Sequence, residues 1–385
     1  MLLSVVIPTK GRTEYAFKSI KYILSLKLSS LQIVVQDNNE TDDLYGLLSE
    51  FIECENIIYN HTKTPLSFVD NFEEAISHAT GEYITVIGDD DIINPEIINV
   101  LSVFSKFNID SIVPSTNLFF LWPESGVTNK VTSGNEFFTF SVKPFSGQLK
   151  YVNSRVELQK LLSNGGVDYL SYNIPRLYHG IVKKSLLDKI KSKYGRLFEG
   201  LTPDIYIACL IAAESETCIR LDYPLTIPGA CKSSGSVASD TGAHTGELSQ
   251  APHFNYRGTY SWNNLVPKFY SVPTIWSDSA FAAAQKTQLE CYINNKLLFA
   301  KCYFEYPKYR ADFINLNPFS NMISLYLTYF KYKILGFKSK IYNKFKVSTS
   351  SFYGIYHLNN LDDIDNKFKK ENKIDIHSKV RGFLL

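Results

Sequence analysis

Three consecutive aspartates, Asp89–Asp91, stand directly after a short apolar segment and shortly before a proline. Neighbouring carboxylates repel one another, so solvent or a bound cation must relieve the repulsion. Hard divalent cations such as Mg²⁺ and Mn²⁺ prefer carboxylate oxygens and keep coordination positions open for water and phosphate oxygens. The triplet therefore predicts either a metal site for a phosphorylated ligand or a plain turn before a helix that begins at Asn94-Pro95.

The first 115 residues alternate between strand-like and helix-like patterns. Short apolar segments predict strands at Leu2–Ile7, Leu31–Val35, Ile57–Tyr59, Tyr83–Ile87 and Ser111–Val113. Helical spacing of apolar residues predicts helices at Thr13–Leu28, Asp42–Cys54 and Phe68–Ala79, and after Asn94. This alternation predicts an α/β fold with a mainly parallel sheet.

Polar residues cluster at the carboxyl ends of three of these strands. They lie in the segments Thr9–Arg12, Asp37–Asn39 and Gly88–Asp91. In open parallel sheets, ligands bind beyond the carboxyl ends of the strands. We therefore expect the three segments to converge on one binding site.

The chain is less regular after residue 116. Residues 117–175 show no clear period, and residues 230–260 are rich in Gly, Ser and Thr, which is typical of a mobile loop. The elements predicted in the second half are a strand at His179–Lys183, helices at Ser185–Ser192 and Asp204–Glu214, and a helical, aromatic region from Thr274 onward.

The composition is that of a globular protein with a sizeable core. Of 385 residues, 45% are hydrophobic and 20% are charged, which excludes a mainly disordered, collagen-like or coiled-coil chain. A net charge of +2 gives no reason to expect nucleic acid as a partner. The six cysteines form no CxxC pair, and neither a secretory signal nor a membrane span is evident, so we expect reduced thiols and a cytoplasmic protein.

The end of the chain is basic. Residues 331–346 hold six lysines and no acidic residue. In and just before this segment, apolar residues recur at helical spacing, at Phe330, Ile334, Phe337, Ile341 and Phe345. A basic amphipathic helix either lies on an anionic membrane or packs on its own domain with a solvated basic edge. Both interpretations remain open for residues 325–346.

Four ordered segments resemble the nucleotide-sugar-binding half of family 2 glycosyltransferases of the GT-A fold. They are SVVIPTKGR at 4–12, IVVQDNNETD at 33–42, ATGEYI at 79–84 and GDDD at 88–91. The family has a VSVIIPT start, a VDDGSTD turn, a GEY strand and a carboxylate-rich DxD motif in this order. The resemblance covers residues 1–115 and extends weakly over 150–230.

The resemblance implies a Rossmann-like α/β core in three parts. Residues 1–115 would form the nucleotide-sugar-binding half of the GT-A domain. Residues 116–260 would form the acceptor-binding half, with the catalytic base and a mobile loop. Residues 261–385 would form a mostly helical C-terminal extension with the basic tail.

Nucleotide contacts follow from the resemblance residue by residue, and they fall on Pro8, Thr9, Arg12, Asp37, Asn39, Asn71 and Asp89. Asp37 matches the first aspartate of the VDDGSTD turn, which contacts the base in the family. The neighbouring Gln36, Asn38 and Asn39 depart from the family pattern, so the base is open and a UDP-sugar is the default expectation. For Asn71, a helix-surface amide is the alternative.

Metal ligands are also implied by the resemblance. Gly88 falls where many members have the first DxD aspartate, and Asp90 falls on the second, which makes Asp90 the leading ligand for Mn²⁺ or Mg²⁺. Asp91 is either a further ligand or a residue that fixes the turn. His244 or His253, in the Gly/Ser-rich segment, is a weaker candidate for an additional ligand.

A general base is expected at the start of a helix about one hundred residues after the DxD motif. Asp204, in Thr202-Pro203-Asp204, has this position, and Glu199 is the second candidate. The alternative for Asp204 is an ordinary acid stabilised by the helix dipole.

The implied function is an inverting transfer of a sugar from a nucleotide sugar to a glycan or a lipid-linked acceptor in bacterial surface-polysaccharide assembly. The tail would then contact the cytoplasmic face of the inner membrane. A sugar-nucleotide nucleotidyltransferase and a non-catalytic nucleotide-sugar- or glycan-binding protein of the same fold are the alternatives. The sequence leaves the oligomeric state open.

Overall fold

The computed structural model describes residues 1–53, 56–127, 137–235, 244–313, 322–347 and 354–385, with side chains of the longest helix described up to residue 338. The strands are β1 Leu3–Thr9, β2 Leu31–Asp37, β3 Ile57–His61, β4 Tyr83–Val86, β5 Ile92–Ile93, β6 Ser111–Pro114, β7 Leu118–Leu121, β8 Phe138–Val142, β9 Leu149–Val152, β10 Ile181–Lys183, β11 Cys218–Leu221, β12 Thr226–Ile227, β13 Gly229–Ala230, β14 Thr245–Gly246, β15 Tyr270–Ser271 and β16 Gly354–Leu358. The helices are α1 Thr13–Ser25, α2 Asp43–Ile52, α3 Phe68–Ser77, α4 Ile97–Phe104, α5 Ser154–Ser163, α6 Lys184–Tyr194, α7 Pro203–Glu214, α8 Val272–Lys286, α9 Lys296–Glu305, α10 Arg310–Phe313, α11 Met322–Val347, α12 Leu361–Glu371 and α13 Ile376–Leu384.

Eight strands form the main sheet, in the order β3-β2-β1-β4-β10-β6-β11-β9. The pairs β1–β2, β2–β3, β1–β4 and β6–β11 are parallel, whereas β10 and β9 run antiparallel to their neighbours. The predicted α/β fold with a mainly parallel sheet is confirmed. The carboxyl ends of β1, β2 and β4 therefore meet at one edge of the sheet.

The sheet separates two hydrophobic cores. Alternate residues of β1 enter opposite cores, with Val5 and Ile7 in one and Val6 in the other. Every residue of β1 and β2 is buried, because helices cover both faces of the sheet. This burial explains why these strands appear in the sequence as apolar runs rather than as an alternating pattern.

Some predicted elements differ from the structure. The helix expected at Asn94-Pro95 begins at Ile97, because the side chain of Asn94 instead accepts a hydrogen bond from the Glu96 amide and donates one to the Pro224 carbonyl. His179 precedes β10 with a left-handed backbone (φ 57°) and is not part of that strand.

The region without a clear period, 117–175, is partly regular. It contains β7, β8, β9 and α5, and β7 and β8 form a second sheet with β13 and β16. Its strands escaped prediction because they are only four or five residues long.

The end of the chain folds back onto the first half. Strand β16 pairs with β8, and buried residues of α12 and α13, Ile364, Phe368 and Val380, join the same core as α1 and α4. Helices dominate the region after residue 271, as expected. Among the described residues, no helix combines the length and the apolarity that crossing a membrane requires.

A few predictions fall on positions that the structure does not describe. They concern Cys54, residues 236–243 of the expected mobile loop, and the side chains of Ile341 and Phe345. Of the other cysteines, all free thiols, four are buried and Cys291 is exposed.

Candidate functional site

A cleft of about 1210 Å³ lies at the carboxyl ends of β1 and β4. Nine predicted site residues line it: Pro8, Thr9, Arg12, Asn71, Asp90, Asp91, Asp204, His244 and His253. The other four, Asp37, Asn39, Asp89 and Glu199, are not part of the lining. The structure thus brings the segments around residues 10, 90 and 204 to one cleft.

Asp91 is held by four contacts, one within the turn and three with distant parts of the chain. Its Oδ2 accepts hydrogen bonds from the Gly88 amide (2.6 Å) and the Tyr178 hydroxyl (3.2 Å) and lies 3.1 Å from His179 Nε2. Its Oδ1 accepts from the Gly229 amide at 2.7 Å. Although burial opposes it, the His179 ring and these hydrogen bonds lower the pKa of Asp91. Of the two expected roles, these contacts support the one in which Asp91 fixes the turn.

The atoms around Gly88 explain why this position departs from the DxD pattern. A Cβ at Gly88 would lie 2.8 Å from Tyr178 Oη, 2.9 Å from Asp91 Oδ2 and 3.0 Å from Asp90 Oδ1. A side chain at this position would therefore displace the tyrosine and both carboxylates. The space that an aspartate would need at Gly88 is occupied by the Tyr178 hydroxyl.

Arg12 bridges Asp89 and Asp90. Its Nη2 lies 3.0 Å from Asp89 Oδ1, and its Nη1 lies 3.3 Å from Asp90 Oδ1. The other oxygens accept from Thr9 Oγ1 (2.7 Å) and the Cys231 amide (3.1 Å). Burial raises the pKa of both carboxyls in spite of the guanidinium. This end of the cleft therefore holds more buried carboxylate than one arginine neutralises.

Asp37 and Asn39 lie behind the residues that line the cleft. The Asp37 oxygens accept from the Tyr59 hydroxyl (2.6 Å) and the Asn39 amide (2.8 Å). The Asn39 side chain in turn accepts from the Gly11 amide. These contacts position the loop after β1, and a direct contact between Asp37 and a base would require Tyr59 to give way.

Asn71, on α3, lines the cleft and is buried. Its Oδ1 has no hydrogen-bond partner in the structure. A buried amide oxygen without a partner is costly, so this geometry argues against the alternative of a surface amide and for an acceptor aimed at a ligand.

Asp204 stands at the other end of the cleft, in the first turn of α7. Its Oδ2 accepts from the Tyr169 hydroxyl at 3.0 Å, whereas its Oδ1 is buried and has no partner. Burial raises the pKa of Asp204. Glu199 differs, because its carboxylate accepts from Tyr206 and pairs with Lys286 at 3.2 Å. Of these two acids, therefore, only Asp204 both lines the cleft and has an oxygen without a hydrogen-bond partner.

His244 and His253 belong to an aromatic cluster on the cleft wall. Their rings are stacked 5.9 Å apart, and His253 also stacks on Phe68 at 5.2 Å and contacts Tyr270. Burial and the neighbouring His244 lower the pKa of His253 to about 4. Within the described ranges, no three His, Cys, Asp or Glu side chains are grouped as a metal ion would need.

Arg176 is a cleft residue that the sequence analysis did not identify. It is only 9% exposed, lines the cleft, and its Nε has no hydrogen-bond partner. Burial and the neighbouring Asp204 raise the pKa of Tyr169, and Arg176 lies close enough to oppose part of this rise. The available signal was a single charged residue in the otherwise apolar and aromatic stretch 174–182.

An aromatic and charged group lines the cleft beyond Asp204. It comprises Asp168, Tyr169, Trp276, Lys301 and Glu305. The Tyr169 and Trp276 rings meet edge to face at 4.7 Å, and Lys301 lies 3.3 Å from Asp168. We call this group the far end of the cleft. The residues come from separate parts of the chain, and no local sequence pattern joins them.

Comparisons with known proteins find one family match and several relatives. Residues 4–121 match the model of the family described as Glycosyl transferase family 2. The glycosyltransferase GlyG of Streptococcus pneumoniae serotype 4 is 22% identical over 206 residues, 51% of this chain and 62% of that protein. A GalNAc(5)-diNAcBac-PP-undecaprenol beta-1,3-glucosyltransferase of Campylobacter jejuni is 30% identical over 94 residues, 23% of this chain and 29% of that protein.

The chain thus spans less than two thirds of the length of these two relatives. Among solved structures, S. aureus TarS 1–349 in complex with UDP-GlcNAc is 14% identical, with a TM-score of 0.46 over 83% of this chain and 77% of the other. The family match includes the first strand, the Asp37 turn and the aspartate triplet. Over residues 4–121, the chain is therefore similar to glycosyl transferase family 2.

Proposed function

We propose that the protein is an inverting glycosyltransferase that moves a sugar from a nucleotide sugar, by default a UDP-sugar, to a glycan or lipid-linked acceptor. The observation that carries the proposal is Asp204, which lines the same cleft as the aspartate turn and whose buried Oδ1 has no hydrogen-bond partner. The family match over residues 4–121 supports the nucleotide-sugar part of the proposal.

In the proposed reaction, Asp204 acts as the general base. Its Oδ1 accepts the proton of the acceptor hydroxyl, while the Tyr169 hydroxyl holds the other oxygen and fixes the carboxylate. The acceptor oxygen then forms a bond to the anomeric carbon from the face opposite the leaving group. The bond between that carbon and the diphosphate oxygen breaks, and its electron pair leaves with the nucleoside diphosphate.

The nucleotide would occupy the end of the cleft formed by the loop after β1 and by α3. Pro8 and Thr9 border this space, and the unpartnered Asn71 Oδ1 supplies an acceptor for a base or ribose donor. Arg12 borders the same space and would hold the Asp89 and Asp90 carboxylates in place beside the diphosphate. Asp37, Asn39 and Asp89 would act from behind this wall by holding the loop.

The carboxylate end of the cleft fits a divalent cation such as Mn²⁺ or Mg²⁺. Its donors are hard oxygens, and Asp90 lines the cleft and remains the leading ligand. Because the described part of the chain shows no three-ligand group, the remaining ligands would be diphosphate and water oxygens. When bound, the cation would neutralise charge on the leaving diphosphate. We therefore expect metal affinity to depend on bound nucleotide, with His244, His253 and Asp91 contributing little.

The acceptor is proposed to be a growing surface polysaccharide, free or lipid-linked, reached from the cytoplasm. The name of the Campylobacter relative describes an acceptor on undecaprenol diphosphate for that protein. The far end of the cleft offers Trp276 for stacking against a sugar ring and Asp168 and Glu305 for its hydroxyls. An acceptor held there would lie beside Asp204.

Release of nucleoside diphosphate from UDP-sugars, with octyl glycosides as acceptors, tests the proposal. We expect Asp204→Asn to lower turnover about 100-fold or more with unchanged binding of UDP, since a general base contributes roughly this much. Glu199→Gln is the matched control and should retain most turnover. Full turnover by Asp204→Asn would contradict the assignment of the base. Nucleotide binding without turnover of any sugar would favour a non-catalytic binding protein.

A further inference from the structure

Helix α11 packs on the protein through one face. Leu325 is 2% exposed, and the Tyr329 ring stacks on Phe304 of α9 at 4.5 Å. On the same side, the Tyr332 hydroxyl accepts a hydrogen bond from Lys301 at 2.7 Å. This face provides the contacts that hold α11 to the domain.

A second apolar face of α11 is exposed. It consists of Ile323, Leu327, Phe330, Ile334 and Phe337, at intervals of four, three, four and three residues, and we call it the α11 stripe. This spacing places the five residues on one side of a helix, away from Leu325, Tyr329 and Tyr332. Phe330 and Phe337 are 64% and 65% exposed. Folding of the described chain therefore leaves a continuous apolar stripe in solvent.

The charge around the α11 stripe indicates which kind of partner it would bind. Residues 322–347 contain six lysines and no acidic residue. Of the lysines whose side chains are described, Lys331 and Lys338 are exposed beside the stripe, and Lys333 pairs with Glu305 at 3.1 Å. A second copy of so basic a helix would be repelled, whereas an anionic surface is attracted. An apolar stripe edged by lysines and containing phenylalanines is typical of a helix that lies in the interface of an anionic bilayer.

The α11 stripe also lies on the helix that contacts the far end of the cleft. Lys301 and Glu305 line the cleft and, from α9, contact Tyr332 and Lys333 of α11. Because the stripe and these contacts lie on different sides of the same helix, a membrane bound at the stripe would lie one helix diameter, roughly 10 Å, from the far end of the cleft.

We propose that the α11 stripe docks on an anionic lipid bilayer and thereby holds the far end of the cleft at the membrane surface, where an amphiphilic acceptor enters. Only the identity of what enters the cleft rests on the proposed transferase function. Membrane binding itself rests on the stripe and its lysines.

Flotation with vesicles of phosphatidylcholine containing about 30% phosphatidylglycerol tests the proposal in the full chain. We expect the protein to float with these vesicles, to remain unbound with pure phosphatidylcholine, and to dissociate at high salt. Absence of binding to the anionic vesicles would overturn the proposal. A dimer that depends on the stripe would overturn it in favour of a second copy.

Two leucine-to-glutamine substitutions on α11, one inside and one outside the stripe, test what the stripe contributes to membrane binding. Leu327 is in the stripe and 55% exposed, whereas Leu335 is 66% exposed on the same helix but outside the stripe. We expect Leu327→Gln to lower the vesicle partition coefficient at least about fivefold and Leu335→Gln to leave it unchanged, because inserted apolar area sets the affinity. Equal effects of the two variants would overturn the proposal. Phe337→Gln repeats the test if Leu327→Gln changes the melting temperature.

The UDP-induced thermal shift of each variant separates the two proposals. If the shift persists while flotation is lost, the docking proposal stands and the nucleotide site is intact. If wild-type protein floats but never responds to a nucleotide, the proposed function fails while the docking surface remains.

Discussion

Four residues that line the cleft each have a buried polar atom without a hydrogen-bond partner. These atoms are Asn71 Oδ1, Arg176 Nε, Asp204 Oδ1 and His253 Nδ1. Such atoms are rare in folded proteins, because each one loses its hydrogen bonds to water without replacement. In contrast, Asp91 is held by four contacts within the protein. We therefore propose that Asn71, Arg176 and Asp204 bind substrate groups, whereas Asp91 shapes the site.

The ionised form of Asp204 is expected to cost stability. Burial raises the pKa of Asp204 in the folded protein. The protonated carboxyl therefore contributes fully to stability below the unfolded-state pKa of about 3.9, and this contribution is lost as the pH rises through the raised value. At pH 7, Asp204→Asn should therefore melt at a higher temperature than the wild type. The two melting temperatures should converge near pH 4, which calorimetry across this range can measure. A lower melting temperature for the variant at pH 7 would contradict this account.

Arg176 is expected to bind an anionic or hydroxyl-rich part of the substrate. Arg176→Met keeps much of the side-chain volume but removes the charged donors, so we expect kcat/KM to fall roughly 10–100-fold, as for loss of one charged hydrogen bond. Arg220 is the matched control, since it is partly buried but donates to the Val113 carbonyl and does not line the cleft. Arg220→Met should change the melting temperature and leave kcat/KM near the wild-type value. Equal kinetic losses in both variants would assign Arg176 a structural role.

Whether a residue of the site could be predicted from the sequence depends on where it lies in the chain. Asp90 and Asp204 could be named as candidates because each matches a position of the family pattern, in an acidic turn after a strand and at a helix start, and both line the cleft. Tyr169 and Arg176 were missed because only folding brings them to the cleft. The base contact predicted for Asp37 stays a prediction, since a tyrosine from the next strand occupies its carboxylate.

At the scale of elements, the aspartate turn depends on a short segment more than one hundred residues away. The Gly229 amide donates to Asp91, and a Cβ at Gly229 would lie only 2.0 Å from the Asp90 carbonyl oxygen and 2.7 Å from the Phe120 ring. The start of β13 therefore packs directly against the turn, and any side chain at position 229 would displace the turn.

Substitution of this glycine tests that dependence. We expect Gly229→Ala to lower the melting temperature and to weaken nucleotide binding, because the backbone at Asp90 must shift. Gly46→Ala, in α2, is the control, since nothing lies within 4 Å of an added Cβ and alanine favours a helix by about 0.5–1 kcal/mol. It should stabilise the protein and leave nucleotide binding unchanged. Normal nucleotide binding by Gly229→Ala would show that the turn tolerates displacement.

The elements of the first half were predictable because apolar periodicity reports burial on both faces of a parallel sheet. The helix start expected at Asn94-Pro95 was wrong, because a tertiary contact to the Pro224 carbonyl holds Asn94 outside the helix. The strands of the second sheet are short, and their partners are distant in sequence, such as β8 and β16. Local patterns carry no information on such pairings.

At the scale of the whole molecule, the end of the chain closes the core of the first half. Phe368 is buried and contacts Phe145 and Tyr223, which belong to the middle of the chain. We expect Phe368→Ala to lower the free energy of unfolding by about 3–5 kcal/mol in urea denaturation, as for other buried phenylalanines. The exposed Phe337→Ala is the control and should change it by less than about 0.5 kcal/mol. Similar values for both would mean that the C-terminal segment contributes little to the core.

The central claim is that this cleft binds a nucleotide sugar through its diphosphate. The most direct measurement is the melting temperature with UDP, GDP, CDP or dTDP, each with and without Mn²⁺, for the wild type and Asp90→Ala. We predict stabilisation by one nucleotide, about 2.7 kcal/mol at one hundred times its dissociation constant, with a further increase from Mn²⁺ that Asp90→Ala abolishes. Folded protein that responds to none of the four nucleotides would contradict the claim.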